Sequence, residues 1–198
     1  MRPAEEVQRL VDFVLELEKL KGVTRKVRPL GLDRYENSAE HSWQLALFAA
    51  AFAHLAAEPV DLGRVIAMLL VHDVGEIDAG DVMAFHEGSA EERHAAELAG
   101  VSRIFGLLPD GGGEPLIDLW REFEGGATPE SRFAQSVDRA MPVLLNLNNH
   151  GQSWRENGIA YERVVRRVEG QIRTGCPALW EYLEARLAEA RERGIFGA

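Results

Sequence analysis

The 198-residue chain contains a single cysteine. That excludes a disulfide framework within the chain and suits a reducing, cytoplasmic setting. Long apolar runs are missing too: nothing approaches the roughly 20 consecutive apolar residues of a membrane span. The longest candidate, "LALFAAAFAHLAA", is short, contains His54 and reads as a buried helix, and the opening "MRPAEEVQRL" carries no apolar signal core. Strand-like runs of Val, Ile and Thr are absent, whereas Ala, Leu, Glu and Arg dominate, a composition that favours helices. Positive charge is in deficit, with 22 Lys and Arg against 32 Asp and Glu for a formal net charge of −10. A general nucleic-acid binder would show a basic face, so neither nucleic acid nor membrane is an expected partner.

What is present is a 46% hydrophobic, mixed-charge sequence long enough for one sizeable core. Apolar spacing predicts a helix over 3–20, and Gly22 ends it. A second helix is expected from a Ser38 cap to about Ala57, and a third from an Asp61 cap through "LGRVIAMLLVHD", stopped by Gly75 and Gly80. Further helices are expected over 89–107, 114–124, from Thr128 through "NLNNH", from Tyr161 to Ile172, and after Pro177. Pro142 should kink or divide the long one. Cys176, just before the last helix, reads as structural or incidental. With no repeat and no convincing boundary, the chain is expected to be a single all-α domain over 1–198. Its core would cover about 5–170, with the helix at 177–194 serving packing or a subunit contact.

Two local features carry chemistry. The first is "KGVTRKVRPLGLDR" at 21–34, holding Lys21, Arg25, Lys26, Arg28 and Arg34 against one acid, Asp33. An acidic protein with one basic loop is compatible with a small anionic ligand, although charge alone favours an ordinary solvated loop. The second is "LLVHDVGEIDAGD" at 69–81, an apolar helix running into His72, Asp73, Glu76, Asp78 and Asp81. His72 and Asp73 can share one ion if the helix end faces it, and His41 and Asp138 lie on neighbouring helices. Two imidazoles and two carboxylates suit Mn, Fe, Co, Ni or Zn, with Mg less natural because it prefers oxygen shells. Glu76, just outside the set, is placed to orient a water. Each residue also has a plainer reading: a histidine ending an apolar helix is commonly a satisfied core or capping residue, Glu76 a turn residue, and Asp138 half of an ion pair with Arg139. His54, His86, His94 and His150 lack comparable companions.

Taken in order, "RYENSAEHSWQLALFA", "MLLVHDVGEIDAGDV", "RIFGLLP", "LWREFE" and "TPESRFAQSVDRAMPVLLN" resemble the HD-domain metal-dependent phosphohydrolases. The likeness is to the branch that contains the bacterial 5′-deoxynucleotidases, and it covers roughly 5–170. The resemblance implies a helical HD-domain fold with one divalent metal between helices, held by His41, His72, Asp73 and Asp138. It makes Glu76 the carboxylate that activates or positions the attacking water. Asp81 would be the acid that contacts the sugar, Arg25 the arginine that holds the 5′-phosphate with Arg28 as its competitor, and a homodimer the assembly. The chain departs from that branch in having "TRKVRPL" where a tryptophan adjoins the phosphate arginine.

The implied activity is hydrolysis of a (deoxy)nucleoside 5′-monophosphate, a small-molecule nucleotide, to nucleoside and phosphate. Two alternatives stand beside it. One is hydrolysis of another phosphoester, either an alarmone pyrophosphate bond or a cyclic nucleotide. Alarmone hydrolases of the superfamily show Glu-Asp where this chain has Glu76-Ile77. The other is a non-catalytic, metal-binding regulatory protein.

Overall fold

The computed structural model describes residues 2–80 and 90–197, and among these every regular element is helical, with one isolated antiparallel bridge between Thr24 and Asn37. The expectation of an all-α fold is met. Pro3 opens α1 (Pro3–Leu17), which continues as a 3-10 segment over Glu18–Gly22. Then come α2 (Ser38–Phe52), α3 (Leu62–Val71), the single turn α4 (Glu76–Ala79), α5 (Ala90–Phe105) and α6 (Glu114–Gly125). The chain closes with α7 (Pro129–Asn148), α8 (Gln152–Glu156), α9 (Tyr161–Gly175) and α10 (Pro177–Glu192).

Capping fixes where the site-bearing helices begin. The cap of α2 is Asn37, one residue earlier than the sequence suggests. Its side chain accepts from the Glu40 amide at 2.9 Å, while the Glu40 carboxylate accepts from the Asn37 amide at 2.8 Å. This reciprocal box satisfies two otherwise orphaned donors and locks the turn that carries His41. Asp61 caps α3 as expected, accepting from Arg64 N at 3.1 Å. Thr128 caps α7.

Pro142 does not divide α7, which runs unbroken from Pro129 to Asn148. A proline in a helix forfeits one ladder hydrogen bond and crowds the preceding turn. Here Val137, Ala140 and Met141 before Pro142 and Val143 and Leu145 after it are all buried in one cluster, and that packing outweighs the local loss. α7 is the central rod: α2, α3, α6, α9 and α10 all pack on it. The C-terminal helix adds Leu179, Trp180, Leu183 and Leu187 to the same core, and Cys176 is buried there with its thiol on the Leu55 carbonyl. A second cluster, of Val71, Val74, Val101, Ile104, Phe105, Ile117 and Trp120, lies under α5 and α6 and receives Phe13 and Leu17 of α1. The end of α3 sits between the two clusters, which places His72 and Asp73 well inside the protein.

Candidate metal centre

His41 is completely buried in the first turn of α2. Its Nε2 lies 3.1 Å from Asp138 Oδ1, across from α7, and its Nδ1 lies 3.3 Å from Glu36 Oε2. A carboxylate behind one ring nitrogen fixes the ring and makes the other a better donor to an ion. His72 closes α3. Its Nδ1 is 2.9 Å from the Leu69 carbonyl, so that nitrogen carries the proton and Nε2 keeps its lone pair. α6 holds this residue from behind: the Trp120 indole donates to the His72 carbonyl at 3.0 Å, and the Phe123 ring packs against the imidazole at 5.0 Å between centroids.

One ligand atom each from His41, His72 and Asp73 fits within 4.8 Å of the others. Asp138 Oδ1 adjoins this triple, 3.8 Å from His72 Nε2. His72 Nε2 is buried without a hydrogen-bond partner, although Asp73 Oδ1 is only 3.0 Å away. A buried nitrogen with its lone pair aimed into a group of carboxylates is costly unless a cation fills the gap. The donor set and the orphaned nitrogen together fit a divalent ion.

The electrostatics reflect this crowding of imidazoles and carboxylates. Burial works to raise the Asp138 pKa, but the hydrogen bond to His41 and the attraction of Arg139 and the neighbouring imidazoles overcome it and hold the carboxyl well below its ordinary range. Burial and Arg25 would lower the His41 pKa; Asp138, Glu36 and Asp73 outweigh them and raise it.

Glu76 begins α4, buried, and accepts a hydrogen bond from the Ser38 hydroxyl at 2.6 Å. Ser38 is therefore no cap. It sits at the first position of α2 and steadies Glu76 from across the site. Arg25 enters from the loop before α2, with Nη1 donating to Asp73 Oδ2 at 3.0 Å and Nε 3.4 Å from Glu36 Oε2. Its strand-like neighbours are pinned by Arg25 N to Glu36 O at 2.8 Å and Ser38 N to Val23 O at 3.0 Å.

The other basic side chains of that loop turn elsewhere. Arg28 meets Asp33 and Glu156, Arg34 meets Glu40, and Lys26 and Arg28 cover the Tyr35 ring. Between Arg25 and Arg28, only Arg25 reaches the cluster. Asp81 and His86 lie outside the described residues. Asp78 faces away from the cluster and binds Arg103, which also holds Glu16.

Four residues that shape the site have no sequence signal of their own. Glu36 stands inside a quoted segment but at no recognisable spacing, and Ser38 and Trp120 act through a hydroxyl and an indole. Glu97 of α5 is brought beside Asp73 only by the tertiary fold. Burial, then the charges of Glu124 and Asp73, lift its pKa from 4.5 to about 7.

An HD-domain family model matches residues 17–180. The chain belongs to the HD-domain family. Among curated proteins it is similar to the 5′-deoxynucleotidase HDDC2 of Xenopus laevis, 28% identical over 139 residues and 68% of each chain. The human 5′-deoxynucleotidase HDDC2 is 26% identical over 136 residues, covering 66% of this chain and 65% of the human one. Among solved structures, a predicted metal-dependent phosphohydrolase from Magnetospirillum magnetotacticum MS-1 superposes with a TM-score of 0.93 at 35% identity, covering 100% of this chain and 99% of the other. A conserved hypothetical protein from Pyrococcus furiosus shares the fold at a TM-score of 0.57 and 18% identity, over 92% of this chain and 99% of that one.

Proposed function

We propose that the chain is a metal-dependent 5′-nucleotidase that hydrolyses (deoxy)nucleoside 5′-monophosphates to nucleoside and phosphate. The observation that carries this reading is the orphaned His72 Nε2 inside the His41–His72–Asp73 group, with Asp138 closing it. That is a phosphohydrolase's metal centre in a chain whose curated relatives are named 5′-deoxynucleotidases. His41, His72, Asp73 and Asp138 hold one divalent ion of the Mn, Co, Fe, Ni or Zn type. Such an ion supplies Lewis acidity toward the phosphoryl oxygens and acidifies water.

Glu76, steadied by Ser38, orients the attacking water and takes its proton as the new P–O bond forms. The bond from phosphorus to the 5′-oxygen breaks, and that oxygen leaves with a proton as the nucleoside. Arg25, beside Asp73, balances charge on the phosphoryl oxygens. Asp81 meets the sugar.

The acting protein is a cytoplasmic homodimer. In support, α1 leaves Val7, Leu10, Val11, Val14 and Leu15 between 39% and 60% exposed, an apolar stripe suited to a second copy. No described helix is long and apolar enough to cross a membrane.

The test is phosphate release from a panel of nucleoside and deoxynucleoside monophosphates with Mn or Co bound. Glu76→Ala should lower turnover by roughly a hundredfold or more while the metal content stays unchanged. A metal-replete protein that releases phosphate from none of the panel refutes the reading. For the assembly, sedimentation should show a dimer that Val14→Asp converts to monomer.

A further inference from the structure

The metal centre has a second cationic neighbour, at Asp138. Asp138 Oδ1 faces the two histidines, while its Oδ2 lies 3.9 Å from Arg139 Nε on the next residue of α7. Arg139 is held in place by a relay of amides. Its Nε donates to Gln171 Oε1 of α9 at 2.9 Å, and Gln171 Nε2 meets Gln135 Oε1 at 3.5 Å. Gln135 Nε2 in turn donates to the carbonyl of Phe123, whose ring packs on His72. The relay occupies only Nε. Among the described residues, the two terminal nitrogens of the guanidinium donate no hydrogen bond.

Arg167 lies one helical turn before Gln171, so the two share a face of α9 and Arg167 joins Arg139 along the seam with α7. It makes neither a hydrogen bond nor an ion pair among the described residues, and the residue as a whole is exposed. Partial burial of the guanidinium and then the charges of Arg139 and Arg93 push its pKa down, against the pull of Asp138. Most of the other described arginines have a carboxylate at hand: Arg28, Arg34, Arg64, Arg103 and Arg132 are all ion-paired. In a chain of net charge −10, acids to quench Arg167 are plentiful. Two arginines on the α7–α9 seam near Asp138, one pre-oriented and one without an internal partner, match an anion that arrives from outside. A guanidinium fork matches the paired oxygens of a phosphate.

We infer that Arg139 and Arg167 form a phosphate cradle on the α7–α9 side of the metal centre, so that the phosphate of the nucleotide is gripped between them and Arg25. The identity of the nucleotide rests on the function proposed above; the phosphate affinity does not. Arg167 and Arg139 are both binding residues that contact the phosphate group, and the amide relay holds Arg139 beside Asp138.

The experiment titrates inorganic phosphate calorimetrically into the manganese-loaded protein and, in parallel, measures KM and kcat on a deoxynucleoside monophosphate with phosphate as inhibitor. Arg167→Ala should weaken phosphate binding and raise KM by about tenfold or more, the loss expected for one charge-assisted pair, with kcat less affected. Arg167→Lys should recover part of both, while Arg166→Ala, on a neighbouring face, should stay within about twofold of the parent. Phosphate should compete with the nucleotide. Phosphate affinity that is unchanged in Arg167→Ala, or phosphate inhibition that is not competitive, overturns the cradle while leaving the nucleotidase intact. A parent protein that hydrolyses no nucleotide but still loses phosphate binding in Arg167→Ala refutes the proposed substrate and upholds the cradle.

Discussion

The two walls of the metal centre treat a carboxylate in opposite ways. On the α7 wall, Asp138 is surrounded by His41, His72 and Arg139, and its charge is held on despite burial. On the α5 wall, Glu97 is half-buried beside Glu124 and Asp73, with only His94 and Arg93 easing the repulsion, and its pKa rises to about 7. The first wall is built to keep an anion in a dry place, as holding a cation requires. The second packs acids together with too little counter-charge at Glu97 to offset burial. Burial costs both groups, so it does not mark the working residue; the company each one keeps does.

The largest effect belongs to the α7 wall. Asp138→Asn keeps the shape of the side chain and its place beside His41 but removes the charge. Replacing even an outer partner of a metal ligand costs about 10–100-fold in affinity or activity, so losing the charge of a ligand should cost more than about a hundredfold in turnover. Metal content measured on the purified variant should fall with it. A variant that retains both a full complement of metal and its turnover would remove Asp138 from the ligand set and erase the contrast between the walls.

The next effect tests how the α5 wall is held. Gly75, in the turn after His72–Asp73, and Gly100 of α5 touch backbone to backbone. A Cβ on Gly100 would lie 2.8 Å from the Gly75 carbonyl oxygen, and one on Gly75 would lie 2.6 Å from that of Glu97. No side chain is available to yield, so Gly100→Ala must push α5 off the turn that aims Asp73. The expected cost is about 1–3 kcal/mol of stability, read from the denaturant midpoint. Gly170 of α9 has nothing within 4 Å of its own Cβ position. Gly170→Ala should therefore be neutral or stabilise by up to about 1 kcal/mol through the unfolded chain. Equal losses at both positions would mean that the close approach has no special standing.

The two walls also differ in what was legible in the sequence. Helix positions could be read because apolar spacing, caps and glycines act locally: Asp61 and Thr128 cap where expected, and the break at Gly22 holds. The unbroken passage of α7 through Pro142 was not legible, because the packing on both sides that compensates for the proline comes from distant segments. His41, His72, Asp73 and Asp138 could be named from ordered motifs, and the fold brings them together. Ser38 reads as a cap and instead holds Glu76, since the true cap, Asn37, forms its box with Glu40. Glu97, Arg167 and the glutamine relay carry no motif at all. Their roles exist only once α5 meets the His-Asp turn and α9 lies along α7.

The narrowest effect, confined to one pH window, is the most specific to the α5 wall, and its sign follows from the direction of the Glu97 shift. A carboxyl at about 7 in the folded protein, against an ordinary 4.5, stays protonated in the native state over a range where the unfolded chain has already lost the proton. The native state then binds more protons, so this group's contribution to stability is full below about 4.5 and is lost progressively as pH rises to about 7. Glu97→Gln removes the titrating proton while keeping the volume. In the metal-free protein, the thermal midpoint of this variant should match the parent's at the acid end of the window and exceed it above the upper end, a divergence that thermal melts at pH 4.5 and pH 8 would reveal. Parallel pH profiles for the two proteins would mean that Glu97 ionises at its ordinary pH. The α5 wall would then be no more strained than any other acidic surface, and the contrast with Asp138 would reduce to the presence of a metal ligand on one side only.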